Sequence, residues 1–276
     1  MKDETNMIFK NSLFAFDVDG TLLNSYGELT QRTIEAIATA SDQGATITLA
    51  TGRSWSELDL VMEAIPEIEY AICTNGLEAY DRAGQCLYTE EIPGDLVRNL
   101  VETIRTSVPE VSIGAGIGSE LYAEPKVIDG LVPGIEIAPN RVVDDIMDAL
   151  TLNVRDLLLY HPNYVDKLDE LFTIISVAIN DRRVDVAYSG LPMIEIVPAG
   201  SGKGTCLAWL SHHLQIKKET VVAFGDGMND VQMLTWAGTG LAMGQSSQTV
   251  KAAADNVIGS VDQEGVAEWI EAQLGK

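Results

Sequence analysis

The feature that most constrains this chain is an apolar run, Leu13-Phe14-Ala15-Phe16, that stops abruptly in Asp17-Val18-Asp19-Gly20-Thr21. A short run that is apolar on both faces predicts a strand buried inside a sheet. In a parallel sheet such a strand ends at the carboxyl edge, where α/β proteins place their sites. Alternation along an extended chain sends Asp17 and Asp19 to one side. Two carboxylates ~4 Å apart repel by ~4 kcal/mol at an effective dielectric near ~20. Holding them together calls for a cation, a shared proton or a chemical task. The plain alternative is an Asx-type turn after a strand.

The pattern repeats along the chain. Thr30 is a good N-cap for a helix running to about Gln43, and Gly44 stops it. A strand over Ala45–Ala50 ends in Thr51-Gly52-Arg53, and one over Tyr70–Cys73 ends in Thr74-Asn75-Gly76. After residue 197, Gly202-Lys203-Gly204 leads into a helix, and a strand over Thr220–Phe224 ends in Gly225-Asp226-Gly227-Met228-Asn229-Asp230. Strand and helix alternating across short links predict a doubly wound parallel α/β sheet, with the polar clusters along one edge. Residues 81–191 have another grammar, with strands paired across turns and fewer helices. They are expected to form an α+β module inserted into a core made of residues 1–80 and 192–276.

Composition excludes several classes. Of 276 residues, 41 are acidic and 18 basic, for a formal charge of −23, so no Lys/Arg stripe exists to neutralise nucleic acid or an anionic membrane surface. No apolar run approaches the ~20 residues of a membrane span, and the polar first residues, Met1 to Asn6, are not expected to act as a signal peptide. Cys73, Cys86 and Cys206 have no metal spacing and read as small buried hydrophobes in a reducing compartment, which places the chain in the cytoplasm. An acidic protein that takes an anionic substrate needs local cations.

Those are available. Asp17, Asp19, Asp226 and Asp230 converge on one sheet edge and carry −4 if all are ionised. A divalent cation, Lys203 and one proton on a carboxyl bring the sum to zero. Oxygen-only ligation suits Mg²⁺, and the lack of His and Cys ligands argues against zinc. Lys203 at a helix start is an anion site, joined by the Thr51 hydroxyl and the Gly52 amide. Ser201-Gly202-Lys203-Gly204-Thr205 is not a P-loop, because Gly204 stands where Ser or Thr is needed.

The set D-V-D-G-T (17–21), A-T-G-R (50–53), T-N-G (74–76), G-K-G (202–204) and G-D-G-M-N-D (225–230) resembles the haloacid dehalogenase superfamily. More narrowly, it is similar to the Cof-type phosphatases, which carry a large α/β cap between the second and third motifs. The resemblance implies a Rossmann-like core with an inserted cap domain that determines substrate specificity. It implies that Asp17 is the nucleophile that takes the phosphoryl group as an aspartyl-phosphate, and that Asp19 is the acid and then the base. Thr51 and Lys203 would hold phosphoryl oxygens. Asp17, the carbonyl of Asp19 and Asp226 would bind Mg²⁺, with Asp230 supporting them or acting as an outer ligand. Asn229 would orient the phosphate and Lys203, and Arg53 and Asn75 would lie on the substrate side. The expected function is Mg²⁺-dependent hydrolysis of small phosphorylated metabolites, sugar phosphates above all, by a monomer or small homo-oligomer. A phosphomutase of the same superfamily shares the chemistry. A non-catalytic phosphate- or metal-binding protein would tolerate loss of Asp19 or Lys203, and both are present.

Overall fold

The computed structural model describes residues 8–118, 120–130, 141–150, 152–188 and 191–275. In chain order the strands are β1 (Ser12–Phe16), β2 (Ala45–Ala50), β3 (Ile68–Cys73), β4 (Glu78–Asp81), β5 (Cys86–Thr89), β6 (Ser112–Ile117), β7 (Glu120–Ala123), β8 (Leu157–Tyr160), β9 (Val184–Tyr188), β10 (Ile194–Pro198), β11 (Val221–Gly225), β12 (Thr239–Ala242) and β13 (Asn256–Val257). The helices are α1 (Gln31–Asp42), α2 (Asp59–Ala64), α3 (Gly94–Ser107), α4 (Leu168–Ala178), α5 (Lys203–His213), α6 (Val231–Trp236), α7 (Gln248–Ala253) and α8 (Gly265–Leu274). None of them is long and apolar enough to cross a membrane.

The chain forms two compact units. One runs up to Thr89 and resumes at Ser201; the other is Glu90–Gly200. The first holds an eight-stranded sheet in the order β13-β12-β11-β1-β2-β3-β4-β5. Six strands are parallel, and β4 and β5 add an antiparallel edge. The boundaries expected at 81 and 192 therefore each move about nine residues along the chain. The hairpin after residue 77 pairs with β3 because Ala79 and Tyr80 are buried in the large sheet, so a change from parallel to antiparallel pairing is not yet a change of domain.

All five residues of β1 are buried. Phe14 and Phe16 enter one core with Phe224, and Trp269 of α8 packs against it, while Leu13 and Ala15 enter the core on the opposite face with Leu207 and Leu210 of α5. Phe16 stacks on Phe224 at 4.6 Å between ring centroids, and Phe14 pairs with Val222 in register. From β1 the chain moves outward to β2 and β3, then returns to lay β11 on the other side of β1. This reversal is the topological switch point, where the crevice beyond the strand ends opens.

The second unit is an antiparallel sheet in the order β7-β6-β8-β10-β9, with α3 and α4 sharing a core with one face. Arg105 of α3 reaches Glu124 at 2.5 Å and Asp145 at 2.8 Å. The sequence of residues 126–148 suggests an irregular stretch followed by a helix, and part of it falls outside the described residues. Of the described ones, Pro125–Gly130 and Ile146–Asp148 are short 3-10 turns. The cysteines are all free; Cys73 and Cys206 are buried as expected, whereas Cys86 is exposed on the edge strand β5.

A buried acid pair, not foreseen from the sequence, sits in this sheet. Glu195 of β10 hydrogen-bonds Asp156, and Asp156 Oδ1 accepts the Gly116 amide at 3.0 Å. A Cβ at 116 would stand 2.3 Å from that oxygen, so glycine makes the room. Burial, then the neighbouring Asp156, pushes the Glu195 carboxyl from its ordinary 4.5 up to about 8. The folded chain thus holds a proton there that the unfolded chain gives up. The stability this contributes is complete below the ordinary value and is lost as pH rises to about 8. Glu195→Gln, neutral throughout, is expected to flatten the fall of Tm across this window. Differential scanning calorimetry of both proteins at pH 5 and 8.5 checks it; equal slopes would reject the shared proton.

Candidate active site

The site begins with a buried ammonium. Lys203, the first residue of α5, has no exposed surface, and its Nζ donates to Asp17 Oδ1 at 2.7 Å and to Asp230 Oδ1 at 2.6 Å. Among the described residues it is the only lysine wholly shut from solvent. Burial works against its charge, but Asp17 and Asp230 outweigh that, and its pKa lies above the ordinary value. For Asp17, burial dominates and pushes the carboxyl up to about 7, with Lys203 pulling down and Asp230 pushing up. The carboxyl of Asp226 is also raised, first by burial and then by Asp230.

Asp17, at the end of β1, and Asp226 and Asp230, after β11, present carboxylate oxygens that all lie within 4.8 Å of one another. Asp230 is fully committed: besides Lys203, its Oδ2 accepts the backbone N–H groups of Asp226 and Gly227 at 2.9 and 2.8 Å. It fixes the loop that carries Asp226. Gly20, at φ +84°, lies so close to Asp226 that a Cβ would meet its Oδ2 at 2.4 Å. Three carboxylates against one ammonium leave a deficit of positive charge in a poorly solvated place. An oxygen-rich donor set with such a deficit fits a hard divalent cation.

Asp19 does not share that cluster. The strand ends at Phe16, and a turn follows that buries Asp17 but exposes Asp19, so strand alternation no longer holds. Arg53 grips the Asp19 carboxylate with both arms, Nε at 2.9 Å and Nη2 at 2.6 Å. Thr51, after β2, is buried, and its hydroxyl accepts the Arg53 amide at 3.1 Å. Asn229 Nδ2 donates to Asn75 Oδ1 at 3.0 Å, and that same oxygen would be 3.1 Å from a Cβ on Gly52. The structure therefore gathers Asp17, Asp226, Asp230 and Lys203 in one group, and links Asp19 with Arg53 and Asn75 with Asn229 and Gly52.

Sequence reasoning missed Gln245. Its Nε2 donates to the Gly20 carbonyl at 2.6 Å, its Oε1 accepts the Val261 amide at 3.1 Å, and it hydrogen-bonds Asp226. It follows β12, so the rule that drew attention to the ends of β1, β2, β3 and β11 also points to it.

With this geometry in hand, comparison with known proteins is direct. The chain matches the profile of the haloacid dehalogenase-like hydrolases over residues 14–270, and it belongs to that family. It is thus an enzyme, a hydrolase of the α/β class. It is 28% identical over 267 residues to an HMP-PP phosphatase of Yersinia pseudotuberculosis, covering 95% of each chain. A chloroplastic endoribonuclease YBEY of Arabidopsis thaliana is 27% identical over 275 residues, but the chain spans only 46% of that protein's length. Among solved structures, a haloacid dehalogenase-like hydrolase from Bacteroides thetaiotaomicron superposes with a TM-score of 0.78 at 29% identity, over 95% of this chain and 98% of that one.

The buried ion triad generates a stability test. Lys203→Met keeps the side-chain length and leaves Asp17 and Asp230 without their ammonium. Breaking such a pair costs ~3–5 kcal/mol. The loss is expected to be larger at pH 8.5 than at pH 5.5, where Asp17 takes up a proton readily. Urea denaturation at both pH values measures it; a loss under ~1 kcal/mol at pH 8.5 contradicts the account.

Proposed function

We propose that this enzyme is a Mg²⁺-dependent phosphohydrolase that removes phosphate from a small phosphorylated metabolite through an aspartyl-phosphate on Asp17. The observation that carries the reading is the convergence of Asp17, Asp226 and Asp230 around Lys203 at the switch point of the sheet. The family and its phosphatase relatives support it. Sugar phosphates are the substrate class we favour, with HMP-PP as a further candidate from the named relative.

In this reading Lys203 holds Asp17 Oδ1 and so turns the carboxylate toward the phosphorus. A carboxylate oxygen of Asp17 attacks, a P–O bond forms, and the bond to the leaving oxygen breaks. Asp19 delivers a proton to that oxygen. As a carboxylate, Asp19 then takes a proton from water as the water attacks phosphorus, which frees Asp17 and inorganic phosphate. Asp19 must first leave its two-armed contact with Arg53, and an incoming phosphate offers Arg53 another anion. Thr51, the Gly52 amide and Asn229 serve the phosphoryl oxygens, with Asn75 bracing Asn229. Mg²⁺ held by Asp17, Asp226 and the Asp19 carbonyl would supply positive charge against the phosphoryl group, and Asp230 would keep those ligands in place. Phosphate monoester hydrolysis is among the slowest uncatalysed reactions, so positioning and charge must provide most of ~20 kcal/mol. Substrate choice is assigned to the inserted unit, Glu90–Gly200.

Phosphate release from a panel of sugar phosphates, nucleotides and HMP-PP, with and without Mg²⁺, tests the reading. Release is expected only with Mg²⁺, and Asp17→Asn should lower it by ~10³-fold or more while keeping the wild-type fold. Chelation should also lower Tm, because the ion relieves carboxylate repulsion. Undiminished turnover by Asp17→Asn would remove the covalent step, and Mg²⁺-independent release would remove the metal.

A further inference from the structure

Glu78 is a carboxyl group shut inside the large sheet, 4% exposed, for which the chemistry above has no use. Burying a carboxyl is costly unless its oxygens find donors. Its Oε1 accepts the Tyr80 hydroxyl at 3.0 Å, and its Oε2 accepts the Thr74 hydroxyl at 3.2 Å. Burial, and then the nearby Glu78, push the Tyr80 phenol upward, so it remains a donor. The Tyr80 ring stacks on Trp55, just beyond Arg53, at 5.1 Å between centroids.

Thr74 is the unusual partner. Its φ is +48°, a left-handed conformation that is an outlier for a β-branched residue. Asn75 at +54° and Gly76 at +96° follow, so three consecutive residues are left-handed. Such backbone persists only where its surroundings over-determine it, and it clusters at functional sites. Here the surroundings are the other loops of the site. The Thr74 amide donates to the Arg53 carbonyl at 2.9 Å, and the Asn75 amide donates to the Thr51 carbonyl at 3.0 Å. The Asn75 side chain accepts from Asn229 at 3.0 Å. Gly76 lies against Gly202 and Lys203 so closely that a Cβ would meet the Gly202 carbonyl at 2.3 Å and the Lys203 nitrogen at 2.6 Å. One three-residue turn therefore touches the loop after β2, the start of α5 and the loop after β11.

We propose that Glu78 is a positioning residue for the phosphoryl-binding site. By holding the Thr74 hydroxyl it keeps the turn left-handed. The turn in turn sets Asn75, and through it Asn229, against the Thr51–Arg53 and Gly202–Lys203 segments. The proposal rests on the phosphohydrolase reading of these loops. Glu78 acts through Thr74 and touches no reacting atom. If the hydroxyl is removed, the backbone at 74 relaxes to φ below zero, and the amides of 74 and 75 rotate away from their acceptors.

Thr74→Val removes the hydroxyl and keeps the shape, and Thr74→Ser keeps the hydroxyl. Glu78→Ala and Glu78→Gln form the second pair, with the amide oxygen of glutamine still able to accept one hydrogen bond. Thr74→Val and Glu78→Ala are expected to lower kcat ~10–100-fold with KM within about three-fold, because a misplacement near ~1 Å has that effect. Thr74→Ser should restore kcat, and Glu78→Gln should lie between. Crystal structures or side-chain amide NMR of the same variants should show the Asn75–Asn229 bond lost in Thr74→Val and present in Thr74→Ser. A Thr74→Val protein that is merely less heat-stable, with kcat and the Asn75–Asn229 bond both intact, overturns the proposal. If the wild-type protein releases phosphate from no compound, the hydrolase reading fails by itself, and the Asn75–Asn229 bond in the Thr74 pair still decides the positioning role.

Discussion

The Lys203 ammonium, lodged between Asp17 and Asp230, is the interaction on which the rest of the first unit depends. Each partner comes from a different segment: Asp17 ends β1, Lys203 opens α5, and Asp230 lies beyond β11. A buried lysine and two carboxylates are tolerable only together, since any one left alone would keep an uncompensated charge away from water. The triad therefore ties the order of the strands to the chemistry at their ends. It explains why β11 must lie beside β1, and why the glycine-lined loop after β11 has to fold back so that Asp230 can accept two of its own backbone amides.

Much of this was legible because buried parallel strands write their pattern plainly. Leu13–Phe16 is apolar on both faces, Ala45–Ala50 and Tyr70–Cys73 are mostly apolar, and each stops in a polar cluster, so the sheet and its polar edge can be read together. Thr30, the expected N-cap, does cap α1 through its hydroxyl, and Ser247 does the same for α7. The chain could not show where one unit ends, because β4 and β5 leave the parallel pattern while remaining in the large sheet. Pairing partners, not composition, decide that boundary.

Side-chain direction was the harder part. Strand alternation sent Asp17 and Asp19 to one side, but the turn begins one residue after Phe16 and parts them, one toward Lys203 and the other toward Arg53. Glu195 and Asp156 lie far apart in the chain, and only the β8–β10 pairing in one sheet brings them together. Glu78 reads as an ordinary polar residue of a strand until the left-handed Thr74 appears beside it. Gln245 lies beyond the short strand β12, where the strand-end rule points, but its contacts with Gly20 and Val261 cannot be read from the chain. In each case the missing information is a contact between distant segments, which no local pattern encodes.

The register of β1 against β11 has one more consequence. Phe16 faces Phe224, and Phe14 meets Trp269 of the last helix, so residues from opposite ends of the chain build the floor beneath the site. The inserted unit, with its own sheet and core, lies in the chain wholly between β1 and β11, the neighbour of β1 on one side. Contacts of such long sequence separation close late, because loop entropy must be overcome before they reward the chain. The two units thus differ in the reach of their contacts: the insertion closes within one continuous stretch of chain, whereas the sheet edge that carries Asp17 and Asp226 needs strands from both sides of that stretch.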